Sequence, residues 1–410
     1  MTSPMNSYPL FIILIGCLLF LSCSREESYD DRAEELAHEF IIVDTHVDLP
    51  YRLRSNPEDV SVLTENGDFD YERAQEGGLN APFMSIYIPA RYQQAGGAKA
   101  VADSLINLVE GLTTDHPDKF VIATSPDEIE RQFEEGLISF PMGMENGAGI
   151  EDNLGNIQYF YDRGIRYITL THSKDNQISD SSYDTTGTHG GLSNFGEKVV
   201  KEMNRVGVMI DVSHVSDSAF YDVMEITEAP VIASHSSARY FTPDFERNMS
   251  DSMMTLLAKN GGTVMINFGS TFISDSSRVS SDSVDALIER HLEEEGMERS
   301  SEEAQEYIKE TFSQNFDYAT VADVADHFDH VVNLIGIDYV GIGSDYDGVG
   351  DTLPEGLKDV SSYPNLMREL LDRGYTKDDI RKITHANVFR VWNKVDETAE
   401  TLSGKADQNE

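Results

Sequence analysis

The sequence predicts a (β/α)8 barrel, an α/β fold whose active site lies at the C-terminal ends of the strands. Short apolar runs rich in Val and Ile recur along the chain, segments of helical period separate most of them, and polar side chains follow most of the runs. The eight predicted strands are residues 40–43, 81–89, 138–144, 165–171, 206–212, 230–234, 262–268 and 339–343.

An apolar block precedes the predicted domain. Residues 11–22 carry no charge, and about a dozen residues are too few for a membrane span but suit the core of a signal peptide. Residues 20–23 resemble the lipobox of bacterial lipoproteins, in which the cysteine is lipidated. We expect a signal peptide over 1–22, a lipid anchor on Cys23 and a polar tether over 23–31, with a secretory signal or an uncleaved anchor as alternatives.

The first strand leads into two candidate metal ligands. His46 and Asp48 lie two residues apart, so their side chains point to the same face of an extended chain, and Pro50 stops strand pairing just beyond them. An imidazole and a carboxylate that aim at one point suit a divalent metal. The alternative is that the two side chains only hydrogen-bond each other at the strand end.

Helices between the strands have recognisable ends. Ser125 and Glu128 form a capping-box pair ahead of a helix over 129–135, with Pro126 at the first helical position. Residues 195–206 place four apolar side chains on one stripe, and Gly207 ends that helix.

Two connections exceed what a minimal barrel needs. Residues 49–80 follow the first strand, and residues 276–317 form an acidic insertion with helices expected over 286–295 and 302–312. Loops of this length more often form a lid or an interaction surface than an empty linker. The predicted domain spans 32–397, and residues 398–410 are expected to form a polar, disordered tail.

Histidine, glutamate or aspartate follows six of the eight predicted strands at the same relative position. The residues are His46 and Asp48 after the first strand, Glu145 after the third, His172 after the fourth, His214 after the fifth, His235 after the sixth, and Asp345 and Asp347 after the eighth. A lone histidine at such a place is more often a core residue. The repeated pattern predicts one convergent site at the mouth of the barrel.

Charge and cysteine content exclude some functions. A formal net charge of −42 argues against binding nucleic acid or anionic lipid through the protein surface. The only cysteine besides Cys23 is Cys17, inside the predicted signal peptide, so a processed chain would contain neither a disulfide nor a catalytic thiol.

The motifs at the strand ends resemble those of the membrane dipeptidases, renal dipeptidase-like peptidases among the amidohydrolase-type metal barrels. The similarity runs from about Glu35 to Val395, and the motifs occur in the family's order. They are DTHVD at 44–48, MENG at 144–147, YITLTHS at 167–173, GLSNFG at 191–196, IDVSHVS at 210–216, SHSSA at 234–238, RN at 247–248 and GSDYDGV at 343–349. The acidic insertion has no counterpart in this resemblance.

The resemblance implies a zinc-dependent dipeptidase with two Zn²⁺ ions per chain. In this family pattern His46 and Asp48 hold one ion, His214 and His235 hold the other, and Glu145 bridges both. A hydroxide shared by the two ions would attack the peptide carbonyl of the dipeptide.

The resemblance also assigns three residues to the substrate. His172 would donate a hydrogen bond to the carbonyl oxygen, and Asp345 would carry the proton from the attacking water to the leaving amine. Arg247 would bind the terminal carboxylate of the dipeptide through two hydrogen bonds.

Two other functions stay open at this point. One is an amidohydrolase that acts on another small amide or lactam, and the other is a lipid-anchored ligand-binding protein without catalysis. The complete ligand set, together with His172 and Asp345, favours the enzyme. The expected partners are dipeptides and, through the lipid on Cys23, a membrane of the bacterial cell envelope. Nucleic acid is not expected, and a homodimer stays open.

Overall fold

Parallel strands close into a barrel in the computed structural model, which describes residues 29–407 and Met1. Within this part of the chain the strands are β1 (Ile42–Val47), β2 (Leu79–Tyr87), β3 (Phe120–Ile122), β4 (Ile138–Phe140), β5 (Met142–Glu145), β6 (Ile165–Thr169), β7 (Met209–Asp211), β8 (Ile232–Ala233), β9 (Thr263–Ile266) and β10 (Val340–Ile342). Around the barrel the order is β1-β10-β9-β8-β7-β6-β5-β2, while β3 and β4 form a separate parallel pair. The predicted fold class is confirmed.

Helices surround the barrel and fill the long connections. They are α1 (Tyr29–Glu39), α2 (Leu49–Ser55), α3 (Tyr71–Gly77), α4 (Arg91–Ala95), α5 (Ala98–Asp115), α6 (Pro126–Glu134), α7 (Gly155–Asp162), α8 (Gly196–Val206), α9 (Asp217–Ile226), α10 (Asp251–Asn260), α11 (Ser270–Ile273), α12 (Asp275–Glu295), α13 (Glu302–Asn315), α14 (Val321–Ile335), α15 (Tyr363–Asp372), α16 (Lys377–Arg381) and α17 (Asn387–Asp407). No helix within 29–407 combines the length and the apolar character that a bilayer span requires.

The third predicted strand is two strands. The apolar run 138–144 is interrupted at Pro141, which has no N–H to donate to a ladder. β4 lies before this proline and pairs with β3, whereas β5 lies after it and enters the barrel between β2 and β6. The carbonyl of Pro141 still accepts a hydrogen bond from the backbone N–H of Met84 on β2, at 2.8 Å.

The ends of the domain differ from the predicted boundaries. α1 begins at Tyr29, inside the segment predicted as a tether, and α17 continues to Asp407 where a disordered tail was expected. Ala399 is buried and packs beside Gly207 at the end of α8, so the last helix still contacts the domain beyond residue 397. Met1 apart, the predicted signal peptide 1–22 and the predicted anchor Cys23 lie outside the described residues.

The acidic insertion forms α12 and α13, at the places where two helices were predicted. α12 begins earlier than expected because the Ser274 side chain accepts a hydrogen bond from the N–H of Ser277 and caps the helix. The insertion has an apolar cluster of its own, distinct from the clusters that fill the barrel and its helical layer. Its buried members are Val284, Ile288, Leu292, Ala304 and Phe316.

One aromatic side chain links the packing of the barrel to its mouth. Tyr167 on β6 is fully buried, and a Cβ placed on Gly143 of the neighbouring strand would lie 2.0 Å from its ring. Glycine is therefore required at 143 to admit this ring. The Tyr167 hydroxyl lies 2.8 Å from Nδ1 of His46, and the core thereby contacts a predicted metal ligand.

Candidate metal centre

The residues predicted at the strand ends lie together at the C-terminal mouth of the barrel. The members that line up around one point are His46, Asp48, Glu145, His172, His214, His235 and Asp345. All of them are buried except His172, whose side chain is 20% exposed. Parallel strands direct all of their C-terminal ends to one side of a barrel, and this common direction brings together side chains that are far apart in the sequence.

Glu145, the last residue of β5, lies between two groups of donors. Its Oε1 atom is 3.0 Å from Nε2 of His214, 3.2 Å from Nε2 of His235 and 3.5 Å from Nε2 of His172. Its Oε2 atom is 3.7 Å from Nε2 of His46. The two carboxylate oxygens thus face different imidazoles, an arrangement in which one carboxylate can contact two metal ions.

The carboxylates of Asp48 and Asp345 lie near His46, on the same side of Glu145 as that imidazole. Nε2 of His46 lies 3.5 Å from Oδ2 of Asp48 and 4.0 Å from Oδ1 of Asp345. Ligand atoms within 4.8 Å of one another form three overlapping triads. They are His46, Glu145 and His235; Glu145, His172 and His214; and His46, Asp48 and Asp345. Distance alone therefore admits His172 and Asp345 as ligands too.

The hydrogen bonds of His46 fix its tautomer. The single Tyr167 O–H proton is donated to the carbonyl of Thr45 at 3.0 Å, so the phenol oxygen can only accept from His46. Nδ1 of His46 must therefore carry a proton, and Nε2 is the nitrogen whose lone pair can face the centre. That Nε2 atom and Oδ1 of Asp48 are both buried, and neither has a hydrogen-bond partner among the described residues.

Acceptor atoms also converge on the other side of Glu145. Ser234 donates its hydroxyl proton to Asp211, so it accepts from Nδ1 of His235 at 2.7 Å and leaves Nε2 of that ring with a lone pair. Nε2 of His214 accepts from the Arg247 guanidinium at 3.1 Å, since arginine can only donate.

The two imidazole nitrogens that carry these lone pairs lie 2.9 Å apart, next to a carboxylate oxygen. A cation between them would relieve the repulsion among these acceptors, and imidazole with carboxylate is a donor set that suits zinc. The site therefore fits a divalent metal.

The local field has opposite effects on the titrating groups. Burial alone would lower the pKa of His46, but Tyr167, Glu145 and Asp48 raise it well above the usual value, which marks a position that favours positive charge. Burial lowers the pKa of His235 to about 4 and keeps this imidazole neutral. Burial raises the pKa of Asp345 to about 7, and the neighbouring carboxylates of Asp48 and Glu145 add to the effect.

Two of the site residues have left-handed backbone conformations. His214 and Asp345 both have φ of 67°. A side chain in this region costs roughly 1–2 kcal/mol, so the surrounding structure must hold both residues in place. One such contact is the hydrogen bond from the Asp345 N–H to the carbonyl of His46, at 3.1 Å. These turns aim both side chains back over the barrel mouth.

A cavity of about 780 Å³ opens above the convergent residues. Its walls include Asp48, Glu145, His172, His214 and Asp345, which leaves room for a small substrate beside the candidate ligands. The acidic insertion contributes Ser281 of α12 to the wall of the same cavity, which Phe272 of α11 also lines. The insertion therefore forms part of the wall of the site, a relation that the sequence did not reveal.

Arg247 lies behind the histidines rather than on the open wall. It is 3% exposed, and its guanidinium donates to Oγ of Ser236 and to the carbonyl of His235, each at 2.8 Å, as well as to His214. The centroid of the Phe272 ring lies 5.2 Å from the guanidinium carbon of Arg247. The structure thus brings Arg247 to the site, with its donors turned toward protein acceptors.

Asp347 has a different environment from the other strand-end residues. Its carboxylate accepts from the N–H of Asp68 at 2.6 Å and pairs with Nε of Arg52 at 3.2 Å. The N–H of Asp347 in turn donates to the Asp68 carboxylate at 2.7 Å. This reciprocal pair fastens the first long connection to the segment after β10, so Asp347 connects loops; it lines the cavity but belongs to none of the three triads.

Sequence reasoning missed Tyr167 and Asp211 as parts of the site. Both lie on barrel strands, and both reach a predicted ligand only through a contact between distant segments. The one signal in the sequence is their strand position, since Tyr167 lies on β6 and Asp211 is the last residue of β7.

Comparison with known proteins identifies the family. The family model for membrane dipeptidase (peptidase family M19) matches residues 30–406. The chain is 36% identical to dipeptidase aclJ of Aspergillus oryzae over 344 residues, which cover 82% of this chain and 72% of that protein. It is 32% identical to dipeptidase 3 of Mus musculus over 387 residues, which cover 92% and 69% of the two proteins.

Solved structures share the fold. The probable dipeptidase PvdM of Pseudomonas aeruginosa superposes with a TM-score of 0.78 at 27% identity and covers 90% of this chain and 99% of that one. A metallo peptidase of Rhodobacter sphaeroides, liganded with a phosphinate mimic of the dipeptide L-Ala-D-Ala, superposes with a TM-score of 0.71 at 24% identity and covers 87% and 99%. The chain therefore belongs to the membrane dipeptidase family, peptidase family M19, and is a metal-dependent dipeptidase.

Proposed function

We propose that the protein is a zinc dipeptidase that uses two Zn²⁺ ions per chain. The position of Glu145 between two groups of nitrogen and oxygen donors carries the proposal, because a carboxylate with both oxygens engaged suits a site for two ions. His46 and Asp48 would hold one ion, His214 and His235 the other, and Glu145 would contact both.

The residues around the metals have separate tasks in the proposed reaction. Bound zinc would lower the pKa of a water molecule and polarise the substrate carbonyl. Burial lowers the pKa of His172, so its imidazole is neutral and can donate one N–H to the carbonyl oxygen as charge develops there. His172 lies on the cavity wall, where a substrate can reach it.

Asp345 is suited to move the proton. Asn267 donates to its Oδ2 at 2.7 Å and fixes the carboxyl group, while Oδ1 faces His46 and the centre of the site. A carboxylate held in this way can take a proton from the attacking water and deliver it to the leaving amine. The left-handed backbone at Asp345 directs the side chain to this position.

Arg247 would bind the C-terminal carboxylate of the dipeptide. If Nε2 of His214 held a metal ion, the Arg247 amino group that contacts this nitrogen would lose that acceptor and would be able to donate to the substrate. The guanidinium Nε is buried and without a hydrogen-bond partner among the described residues, so it is a second available donor. A site that closes on this carboxylate would exclude longer peptides.

We also propose that the protein is anchored to the bacterial cell envelope by a lipid on Cys23. The support is the apolar block of 11–22 and the lipobox-like residues 20–23. Residues 24–28 lie in the sequence between this cysteine and α1, which begins at Tyr29.

The metal assignment predicts about two zinc ions per purified chain. Glu145→Gln should weaken the binding of both ions together, because the amide replaces a carboxylate that contacts both. Elemental analysis and chelator titration would measure this loss. The exposed Glu134→Gln on α6 is the matched control and should keep its metal. Full metal content in Glu145→Gln would contradict the bridge.

For Asp345, replacement by Asn should leave the zinc content near that of the unaltered protein and lower kcat by about 10²–10⁴, the usual effect of a lost general acid or base. Steady-state kinetics and metal analysis of the same preparation separate the two roles. A large loss of zinc would make Asp345 a ligand, which its distance from His46 also allows, and an unchanged kcat would remove it from the mechanism.

The proposed role of Arg247 predicts that dipeptides with a free C-terminus are cleaved well, whereas their C-terminal amides and the matching tripeptides are cleaved poorly. Arg247→Ala should cost about 1.5–3 kcal/mol in kcat/KM for the free acid, the range for a hydrogen bond to a charged group, and much less for the amide. Arg239→Ala is a control from the same segment, since that guanidinium pairs with Asp217. Equal cleavage of acid and amide by the unaltered enzyme would refute carboxylate recognition.

Location can be tested by fractionation of cells that process lipoproteins. Cys23→Ser should move the protein from the membrane fraction to the soluble fraction without a change in specific activity, because the anchor precedes the folded domain. Cys17→Ser removes the other cysteine and should leave the protein on the membrane. If Cys23→Ser also stays there, an uncleaved anchor replaces the lipid in this proposal.

A further inference from the structure

Asp211 is a buried carboxylate that neither faces the substrate cavity nor contacts a candidate metal position directly. It ends β7 and is 0% exposed. Its Oδ1 atom accepts from the N–H groups of Ser213 at 3.0 Å and Ser234 at 2.8 Å. Its Oδ2 atom accepts from the hydroxyls of Thr169 at 2.5 Å and Ser234 at 2.6 Å.

The Ser234 hydroxyl connects this carboxylate to a candidate zinc ligand. Its oxygen lies 2.6 Å from Oδ2 of Asp211 and 2.7 Å from Nδ1 of His235. A hydroxyl has one proton, so it can donate to only one of these neighbours. A carboxylate without a proton can only accept, and it therefore takes the Ser234 proton. The serine oxygen is then left to accept from Nδ1–H of His235.

We propose that Asp211 is a positioning residue that acts through Ser234 to hold His235 in the tautomer whose Nε2 carries a lone pair. The inference rests on the proposed zinc site, since it explains how one of its ligands is prepared. Metal-binding histidines commonly donate their other ring N–H to a partner that orients the ring and raises its basicity. Here that partner is a serine oriented by a buried carboxylate.

His46 and His235 are held in the same tautomer by different partners. At His46 the acceptor is the Tyr167 hydroxyl, whose proton goes to the carbonyl of Thr45, an atom that can never donate. At His235 the direction of the relay depends on whether the side chain at position 211 accepts a hydrogen bond from Ser234 or donates one to it. A single change at Asp211 can therefore reverse the relay, whereas no side-chain change at residue 45 would remove the acceptor there.

Asp211→Asn is the informative variant because asparagine has nearly the shape of aspartate but replaces one acceptor oxygen by an NH₂ group that donates. The amide oxygen can still accept from the two backbone N–H groups. The amide NH₂ would replace Oδ2 and donate to the hydroxyls of Thr169 and Ser234, which can turn to accept. Ser234 would then donate to Nδ1 of His235, and the ring proton would move to Nε2, where it blocks metal binding.

The test uses the zinc-loaded full chain and competition with a chelator, with circular dichroism as a check on the fold. Asp211→Asn should bind one zinc ion about 10–100-fold more weakly, the usual cost of losing a partner of a metal-binding histidine. Ser234→Ala, which removes the relay without reversing it, should give a smaller loss. Thr169→Val is the control, because it removes another hydrogen bond to Asp211 and leaves the relay intact.

Excess zinc should restore kcat of Asp211→Asn, a rescue that general damage to the barrel would not show. If Asp211→Asn binds zinc as tightly as Thr169→Val, the relay does not set the tautomer and the inference is wrong. Should Asp211→Asn fail to fold, Ser234→Ala decides, and affinity equal to the control would overturn the inference. Failure of the unaltered protein to bind zinc would instead refute the proposed function.

Discussion

The barrel mouth depends on the contact between one buried carboxylate and the imidazoles around it. Burial alone would raise the pKa of Glu145, but the nearby rings of His172 and His46 lower it well below its usual range. An unpaired carboxylate would be costly to bury at this depth. Five other strands of the barrel end in groups that surround Glu145 or its immediate neighbours, so the fold holds this charge in place.

Much of this arrangement follows from sequence pattern, because two simple regularities act together. Apolar runs separated by helical segments indicate a parallel barrel, and a parallel barrel brings all of its strand ends to one side. The residues after the strands could therefore be grouped before their distances were known. The same reasoning placed Asp347 with the others, but its side chain turns to Asp68 and Arg52.

What the sequence could not show depends on contacts between distant segments. Tyr167 lies 121 positions from His46, and no local pattern marks it as the partner of that ring. The break at Pro141 was readable in principle, yet a run of apolar residues on both sides of the proline resembles one strand. The left-handed conformations of His214 and Asp345 also escape prediction, since histidine and aspartate adopt this conformation more often than most residues but still only in a minority of cases.

The insertion has a consequence that comes from its separate apolar cluster. Regions with their own core can open as cooperative units at a lower free energy than the unfolding of the whole domain. α12 and α13 pack around Val284, Ile288 and Phe316, and α12 also supplies Ser281 to the cavity wall. Transient opening of that wall is thus governed by a few apolar side chains outside the barrel. Amide exchange in these two helices can proceed while the strands that carry the histidines stay protected.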